Sequence, residues 1–359
     1  MIKTYQSYII KSFSKIFSYV FFIFLFLTVI LNIFEEVSFF KNTEVSLLFP
    51  LYMTLLNTPA IIYETFPFIF FISTQFYFIR LLDREELDIF KKISLSNTKL
   101  IMILSGFSLI ISGLIIIIFY NLSSNLKFIY LDIKNKYSKD NKYLAVVTEN
   151  GLWIRDKIDD KINIINAESL DDKILKNVSI NQFSKDYEII SNILAKEINI
   201  EKNTWVIKKG KFTENNTSLD TIENYSFKTN FNADQINQLF SDLSSLNFIE
   251  LSKIRKNYEK VGYTLSNINV HIHKLISYPF YLTIMTILGS IVMLNIKRNK
   301  SKIFHIILGT LFSVLIYYIS YFSGLLGQNE KLPLVFSIWL PLIIITLFCL
   351  MGIVRINEK

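Results

Sequence analysis

The chain has 359 residues, of which 51% are hydrophobic and 32 are phenylalanine, and its mean hydropathy is +0.38. One water-soluble globule cannot hide that much apolar surface, so composition excludes a soluble domain and predicts a membrane protein. The formal net charge of +8 is spread through a chain rich in Ile, Asn, Lys and Phe, with no basic, aromatic-interleaved face, so nucleic acid is not expected as a partner.

Apolar runs at 16–34, 51–79, 100–122, 276–296, 303–326 and 332–354 approach or meet the roughly 20 residues that cross about 30 Å of hydrocarbon. The first is long and lacks a small-residue cleavage site, so it reads as a retained span rather than a cleaved signal. The second carries Pro59 and Pro67 and is expected to begin in the interface and kink. Cys349, the sole cysteine, sits in the last run, so the extramembrane part must fold without an internal disulfide.

Basic residues set the orientation. Lys3, Lys11 and Lys15 precede the first run. Arg80, Arg84, Lys91, Lys92 and Lys99 lie between the second and third, Lys297, Arg298, Lys300 and Lys302 between the fourth and fifth, and Arg355 and Lys359 after the sixth. The short loops opposite hold only Lys41 and Lys331. The expected layout is three spans over residues 1–122, an extracytoplasmic domain over 123–275 and three spans over 276–359, with both termini in the cytoplasm.

From Tyr143 to Lys228 the pattern changes to short alternating stretches, at 144–148, 161–166 and 205–208, separated by Asn, Asp, Gly and Lys clusters. That spacing predicts an all-β domain of sandwich type. A helical period follows, with Ile236, Leu239, Phe240, Leu243 and Leu246, and then a second helix near 249–257.

No catalytic constellation is read. Lys209, Gly210, Lys211 and Phe212 lack the upstream glycine and the Lys-Ser/Thr ending of a phosphate-cradling loop, so the chain is not expected to hydrolyse nucleotide. His271 and His273 stand at i, i+2, which on a helix points them to different faces; interfacial anchoring is the expectation for them and for His305, with no metal and no cofactor. Glu64 is the one carboxylate well inside an apolar run, and with no second intramembrane charge in view it reads as an interfacial group rather than part of a proton relay. Residues 83–95 form a short charged helix with an apolar stripe of Leu87, Phe90 and Ile93 flanked by Glu86 and Lys91. Such a helix suits either a resting place on lipid headgroups or a peg gripped by a cytoplasmic ATPase.

Several stretches, in order and at spacing, resemble the lipopolysaccharide export permeases of the LptF/LptG family. Asn57, Thr58 and Pro59 with Tyr63, Glu64, Thr65, Phe66 and Pro67 are similar to its proline-bearing second span, and Glu86, Leu87 and Lys91 to its coupling helix. Gly151, Leu152, Trp153 and Asp156 resemble the opening of the external domain in the LptG branch, as do Phe227, Lys228, Thr229 and Asn230, and Ile338, Trp339, Leu340 and Pro341. The resemblance implies a six-helix membrane bundle with an inserted β-jellyroll, in the bacterial inner membrane with the jellyroll periplasmic. It implies a non-catalytic permease subunit that works with an LptF-like subunit, an LptB-like ATPase dimer and LptC/LptA-like periplasmic bridge proteins, and whose cargo is lipopolysaccharide. ATPase coupling would fall to Glu86, Leu87, Phe90 and Lys91. A lateral lipid gate would use the phenylalanine-rich first span at Phe24, the outer positions Asn32 and Lys41, and Tyr317 and Tyr321 on the fifth span. Asn32 stands where some members carry a phosphate-facing lysine. Two other classes compete: an ion-coupled secondary transporter using Glu64, and a non-transporting scaffold that displays the β domain.

Overall fold

The computed structural model describes residues 3–137, 152–158, 161–171, 173–185, 187–214, 217–233, 236, 242–261, 264–295 and 302–357. They group into two compact units, one formed by Met1–Tyr130 with Ser266–Lys359 and the other by Leu131–Leu265. The expected stretch at 144–148, together with Gly151, Leu239, Phe240, Lys297, Arg298, Lys300 and Lys359, lies outside the described residues.

Among its described residues the first unit contains six helices long and apolar enough to cross a membrane. They are α1 (Thr4–Phe40), α2 (Phe49–Asp83), a third formed by α4 (Asn97–Leu114), a π-helical turn (Ile115–Tyr120) and the start of α5 (Asn121–Tyr137), then α7 (Ser266–Leu294), α8 (Lys302–Gln328) and α9 (Leu334–Asn357). A short helix, α3 (Glu86–Lys92), separates α2 from α4. Pro50 opens the first turn of α2, where its missing N–H costs no helical bond. Through Pro59 and Pro67 the helix stays continuous.

The centre of this unit is α2 against α7. α1 and α4 pack on one flank, α8 and α9 on the other. Half of the most apolar window of α2, and half of that of α7, is buried, against 17% for α1 and for α8. Glycines permit the close crossings. A β-carbon on Gly289 of α7 would lie 3.1 Å from the Phe71 carbonyl of α2, and one on Gly352 of α9 would lie 2.8 Å from Ile291 of α7.

The second unit contains six antiparallel strands, β1 (Leu152–Ile158), β2 (Lys161–Asp171), β3 (Ile174–Phe183), β4 (Ile189–Asn199), β5 (Thr204–Glu214) and β6 (Thr217–Lys228). Each pairs with its neighbour in sequence, so the described strands form one up-and-down sheet. Register places Ile154, Ile165, Ile180, Ile193 and Phe212 in one inward row. The next row, Leu152, Ala167, Val178, Ala195 and Gly210, is made of small residues at its far end. A β-carbon on Gly210 would sit 3.2 Å from the Leu194 carbonyl, and the register slips beside it. The Lys-Gly-Lys segment is therefore a bulged strand whose glycine makes room for close packing.

Asp156 closes the domain. Its carboxylate is fully buried and accepts from Thr229 Oγ1 (2.7 Å), the Asn230 backbone N–H (3.1 Å) and Asn230 Nδ2 (2.8 Å). This ties edge strand β1 to the chain just beyond the other edge strand, β6. Trp205, also fully buried, donates from Nε1 to the Phe231 carbonyl at 2.8 Å and holds the same segment from inside. Phe231, Ala233 and Ile236 complete the core, with Tyr258 of α6 (Phe248–Val261) packed against it. Asp156→Ala should strand those donors at a cost of about 3 kcal/mol. Thermal unfolding of the detergent-solubilised chain, followed by protease sensitivity of the β unit, should show its midpoint fall by several degrees, with Asp156→Asn intermediate.

Candidate functional site

The short helix α3 begins after Glu85 and ends before Ser94, both with left-handed backbone (φ 56° and 59°). At its C-terminus the Leu95 N–H bonds the Phe90 carbonyl (2.9 Å) and the Ser94 N–H bonds the Lys91 carbonyl (3.0 Å), with Phe90 and Leu95 both buried. This is a Schellman ending. Ser96 then caps α4 by accepting from the Lys99 N–H at 3.3 Å. The elbow between α3 and α4 is thus fixed by local hydrogen bonds.

Tertiary packing fixes the other side. Phe90 and Leu95 enter a cluster with Ile9 and Phe13 of α1, Tyr77, Phe78 and Leu81 of α2, Leu100 and Leu104 of α4 and Met293 of α7, and Leu87 packs against it. Glu86 is mostly buried, at 13% side-chain exposure; it accepts from the Tyr8 hydroxyl of α1 at 3.0 Å and has Arg84 at 3.9 Å. Of the four expected coupling residues only Lys91 is exposed, while Glu86, Leu87 and Phe90 anchor the helix to the bundle. The outward face is instead Glu85, Asp88, Ile89, Lys92 and Ile93, with the two isoleucines 54% and 56% exposed at i, i+4. An ion pair of Lys302 with Asp83 joins the end of α2 to the start of α8 nearby.

The expected gate residues are distributed over both flanks. On α1 a long face of Tyr19, Phe22, Phe26, Ile30 and Phe34 is exposed, whereas Phe24 is half-buried beside the cluster of Val20, Phe66 and Phe70. Asn32 faces inward: it is 3% exposed, donates to the Thr54 carbonyl of α2 (3.5 Å) and accepts from Asn57 (3.4 Å). One turn on, buried Glu36 accepts from the Tyr130 hydroxyl at 2.7 Å. Lys41 is exposed just beyond α1. On α8, Tyr317 and Tyr321 stack (centroids 6.4 Å, 13°); Tyr321 is exposed and Tyr317 rests on Phe68 of α2 at 5.4 Å.

Between α2, α7 and α8 lies a cluster that joins charge to tyrosine. Tyr63 of α2 stacks on Tyr278 of α7 (4.6 Å, 21°), and the Tyr278 hydroxyl donates to the Tyr63 carbonyl. That carbonyl is the one whose helical donor Pro67 removes, so the proline creates an acceptor that a neighbouring helix fills. The same device recurs where Pro341 removes the donor for the Ser337 carbonyl, which accepts from Ser323 Oγ of α8 at 2.6 Å. Lys274, one turn before Tyr278, lays its stem against Gly324 of α8, where an added β-carbon would meet Cε at 2.7 Å and Nζ at 2.9 Å.

A comparison with known protein families matches the chain to "Lipopolysaccharide export system permease LptF/LptG" over residues 7–355. The chain belongs to the LptF/LptG family. No curated protein matches it. It is a multi-pass membrane protein of the lipopolysaccharide export permeases, and the all-β insertion between its helices agrees with the expectation from sequence.

Two placements in this permease were not expected. α7 begins at Ser266, ten residues before its apolar run, and carries Lys274 into the bundle against Gly324 of α8. His271 and His273 leave by different faces, and each meets a partner in the protein. His271 Nε2 is hydrogen-bonded to the Tyr120 hydroxyl at 3.0 Å, and His273 Nδ1 accepts from Trp339 Nε1 of α9 at 3.2 Å. No group of metal-ligating side chains occurs among the described residues.

The proline-made acceptor predicts a coupling. Tyr278→Phe should destabilise the permease by about 1 kcal/mol. In a Pro67→Ala background, where the Tyr63 carbonyl regains a helical donor, the same change should cost markedly less. Thermal unfolding of the four proteins in one detergent closes the cycle, and additive losses would break the link.

Proposed function

We propose that the chain is one transmembrane half of an ATP-driven exporter that draws lipopolysaccharide sideways out of the inner membrane. ATP would be hydrolysed by a separate LptB-like dimer that grips α3. The second half would be an LptF-like subunit, and the β unit would hand the lipid to LptC/LptA-like bridge proteins. Both termini would then be cytoplasmic and the β unit periplasmic, as the distribution of lysine and arginine favours.

The observation that carries the reading is the two-sidedness of α3. Its inner face is locked into α1, α2, α4 and α7 at once, so a displacement of α3 is transmitted to four membrane helices. Its outer face leaves two isoleucines bare among Glu85, Asp88 and Lys92. A helix that only floated on headgroups would have no use for a Schellman lock or a tyrosine–glutamate tether. A scaffold that merely displayed a β domain would need one span rather than six. The ion-coupled alternative through Glu64 gives α3 no task.

Ile89→Asp and Ile93→Asp should abolish co-purification of the ATPase subunit while leaving thermal stability within about 0.5 kcal/mol, because both side chains are exposed. Retention of the ATPase by both variants would sink the coupling assignment.

The flanks supply the gate. α1 packs along α2 and α4, and α8 along α7, α9 and α2, so these two thinly covered helices stand on separate flanks. They can bound a common opening only across the interface of two permease halves, α1 of one facing α8 of the other. A photo-crosslinking residue at Phe26 or Tyr321 should trap lipopolysaccharide during ATP turnover, and one at exposed Phe348 of α9 should trap little. Equal trapping at all three would mean that the probes report bulk lipid.

A further inference from the structure

Apolar side chains exposed singly need no explanation, but a large apolar pair fixed at one rigid point does. Phe248 and Ile249 open α6 and are 48% and 68% exposed. They are not a frayed end. Asn247 Oδ1 accepts from the Ile249 and Glu250 N–H groups at 3.1 and 3.0 Å, and Glu250 Oε2 accepts from the Asn247 N–H at 2.9 Å. That is a capping box, with Leu246 and Leu251 buried at the positions of a hydrophobic staple. The cap occupies Glu250.

The rest of α6 has two faces. Leu251 and Ile254 are buried, and Tyr258 packs on the β core. Opposite them Ile249, Ser252, Lys253 and Lys256 stand at i, i+3, i+4 and i+7, all exposed, with Phe248 and Arg255 on the flank. Exposed Glu259 lies off this stripe, toward the C-terminal end. Lysines set among bare Ile and Phe match a surface that is anionic outside and apolar just beneath, which is the make-up of a lipid headgroup layer.

The chain keeps α6 close to such a layer. α7 starts at Ser266, whose hydroxyl donates to Glu330 Oε1 at 2.6 Å. Glu330 lies in the turn between α8 and α9, whose apolar runs end at 326 and resume at 332, so this turn marks the edge of the hydrocarbon. Ser266 is thereby pinned at headgroup level. Five residue steps lead back from it to Val261, a reach of at most about 17 Å.

We propose that the outward stripe of α6 is a peripheral membrane anchor for anionic phospholipid. Lys253 and Lys256, with Arg255 beside them, sit among the headgroups, and Phe248 and Ile249 dip between them. The stripe runs along the helix, so α6 lies flat on the bilayer and holds the return to α7 at its surface. The proposal needs only the membrane spans and is independent of the cargo, so its failure would leave the export reading untouched.

The test uses the full-length chain with its co-purifying partners in nanodiscs, without lipopolysaccharide or ATP. In a Cys349→Ala background, Ile249→Cys carries an environment-sensitive fluorophore, and exposed Lys196→Cys on β4 serves as the control. In an equal mixture of phosphatidylcholine and phosphatidylglycerol, the label at 249 should emit further to the blue and be quenched by aqueous acrylamide about threefold less than the control. Phosphatidylcholine alone, or high salt, should remove most of that protection. Lys253→Glu with Lys256→Glu should do the same; should charge reversal unfold the chain, Lys253→Gln with Lys256→Gln should still weaken it. Protection that survives both zwitterionic lipid and charge reversal would mean that protein covers the stripe, and would overturn the anchor. A label quenched like the control in both membranes would overturn it too. So would protection that arises only when lipopolysaccharide is added, which would make the stripe a cargo contact.

Discussion

Hydrocarbon offers no hydrogen bond, so each polar group carried into the membrane unit must be answered by protein. That constraint organises the bundle around α2. Thr54, Thr58 and Thr74 turn their hydroxyls back onto the Pro50, Thr54 and Phe70 carbonyls at 2.8, 2.7 and 2.7 Å. Gln75, fully buried, reaches α8 instead and donates to the His305 carbonyl at 3.2 Å, close to Gly309. Where proline removes a helical donor, the stranded carbonyl becomes a docking point for a neighbour's hydroxyl, as with Tyr63 and Ser337. The prolines of α2 and α9 thus do more than bend a helix. They specify which helix lies beside it.

The same constraint explains which parts of the molecule were legible in the sequence. Apolar runs declare the six spans because about 20 apolar residues have few other uses, and the alternation at 161–166 and 205–208 declares strands. Helix ends were not legible, because a hydropathy run stops at the first charge whereas the helix continues as long as its backbone is paired. Lys274 was missed on that account. The fact that α7 extends to Ser266 through two histidines and a lysine is a tertiary fact: Tyr120, Trp339 and Gly324 each receive one of them. Facing within α3 was equally hidden. Leu87, Phe90 and Ile93 look like one stripe, yet the Schellman ending sends Leu95 inward and leaves Ile93 outside.

The motifs that carried the family resemblance fall into two kinds. In the β unit Asp156 and the pair Thr229 and Asn230 are far apart in sequence but are two halves of one hydrogen-bonded closure. They maintain a fold and say nothing about cargo. Glu86 belongs to a different kind, because its bond to Tyr8 ties α3 to the start of α1, a helix with a long exposed apolar face. In the proposed exporter it would lie on a route between the ATPase-facing end and the gate.

That route has a direction set by stiffness. A cluster that holds Phe13, Tyr77 and Phe78 in edge-to-face contacts, such as Phe13 on Tyr77 at 5.7 Å, and buries Phe90 among them is close-packed and passes on a displacement rather than absorbing it. Above it, α1 meets α2 through phenylalanines such as Phe17 on Phe70 at 4.9 Å, and then through Asn32 and Asn57, whose longer hydrogen bonds of 3.4 and 3.5 Å hold more loosely. Beyond them the two helices meet firmly again, with Phe40 edge-on to Phe49 at 5.1 Å where a short loop joins α1 to α2. In the exporter proposed above, a push delivered at α3 would reach α1 through its phenylalanine-packed base, and the loosest stretch it would meet, between that base and the tethered end at Phe40, is the one around Asn32.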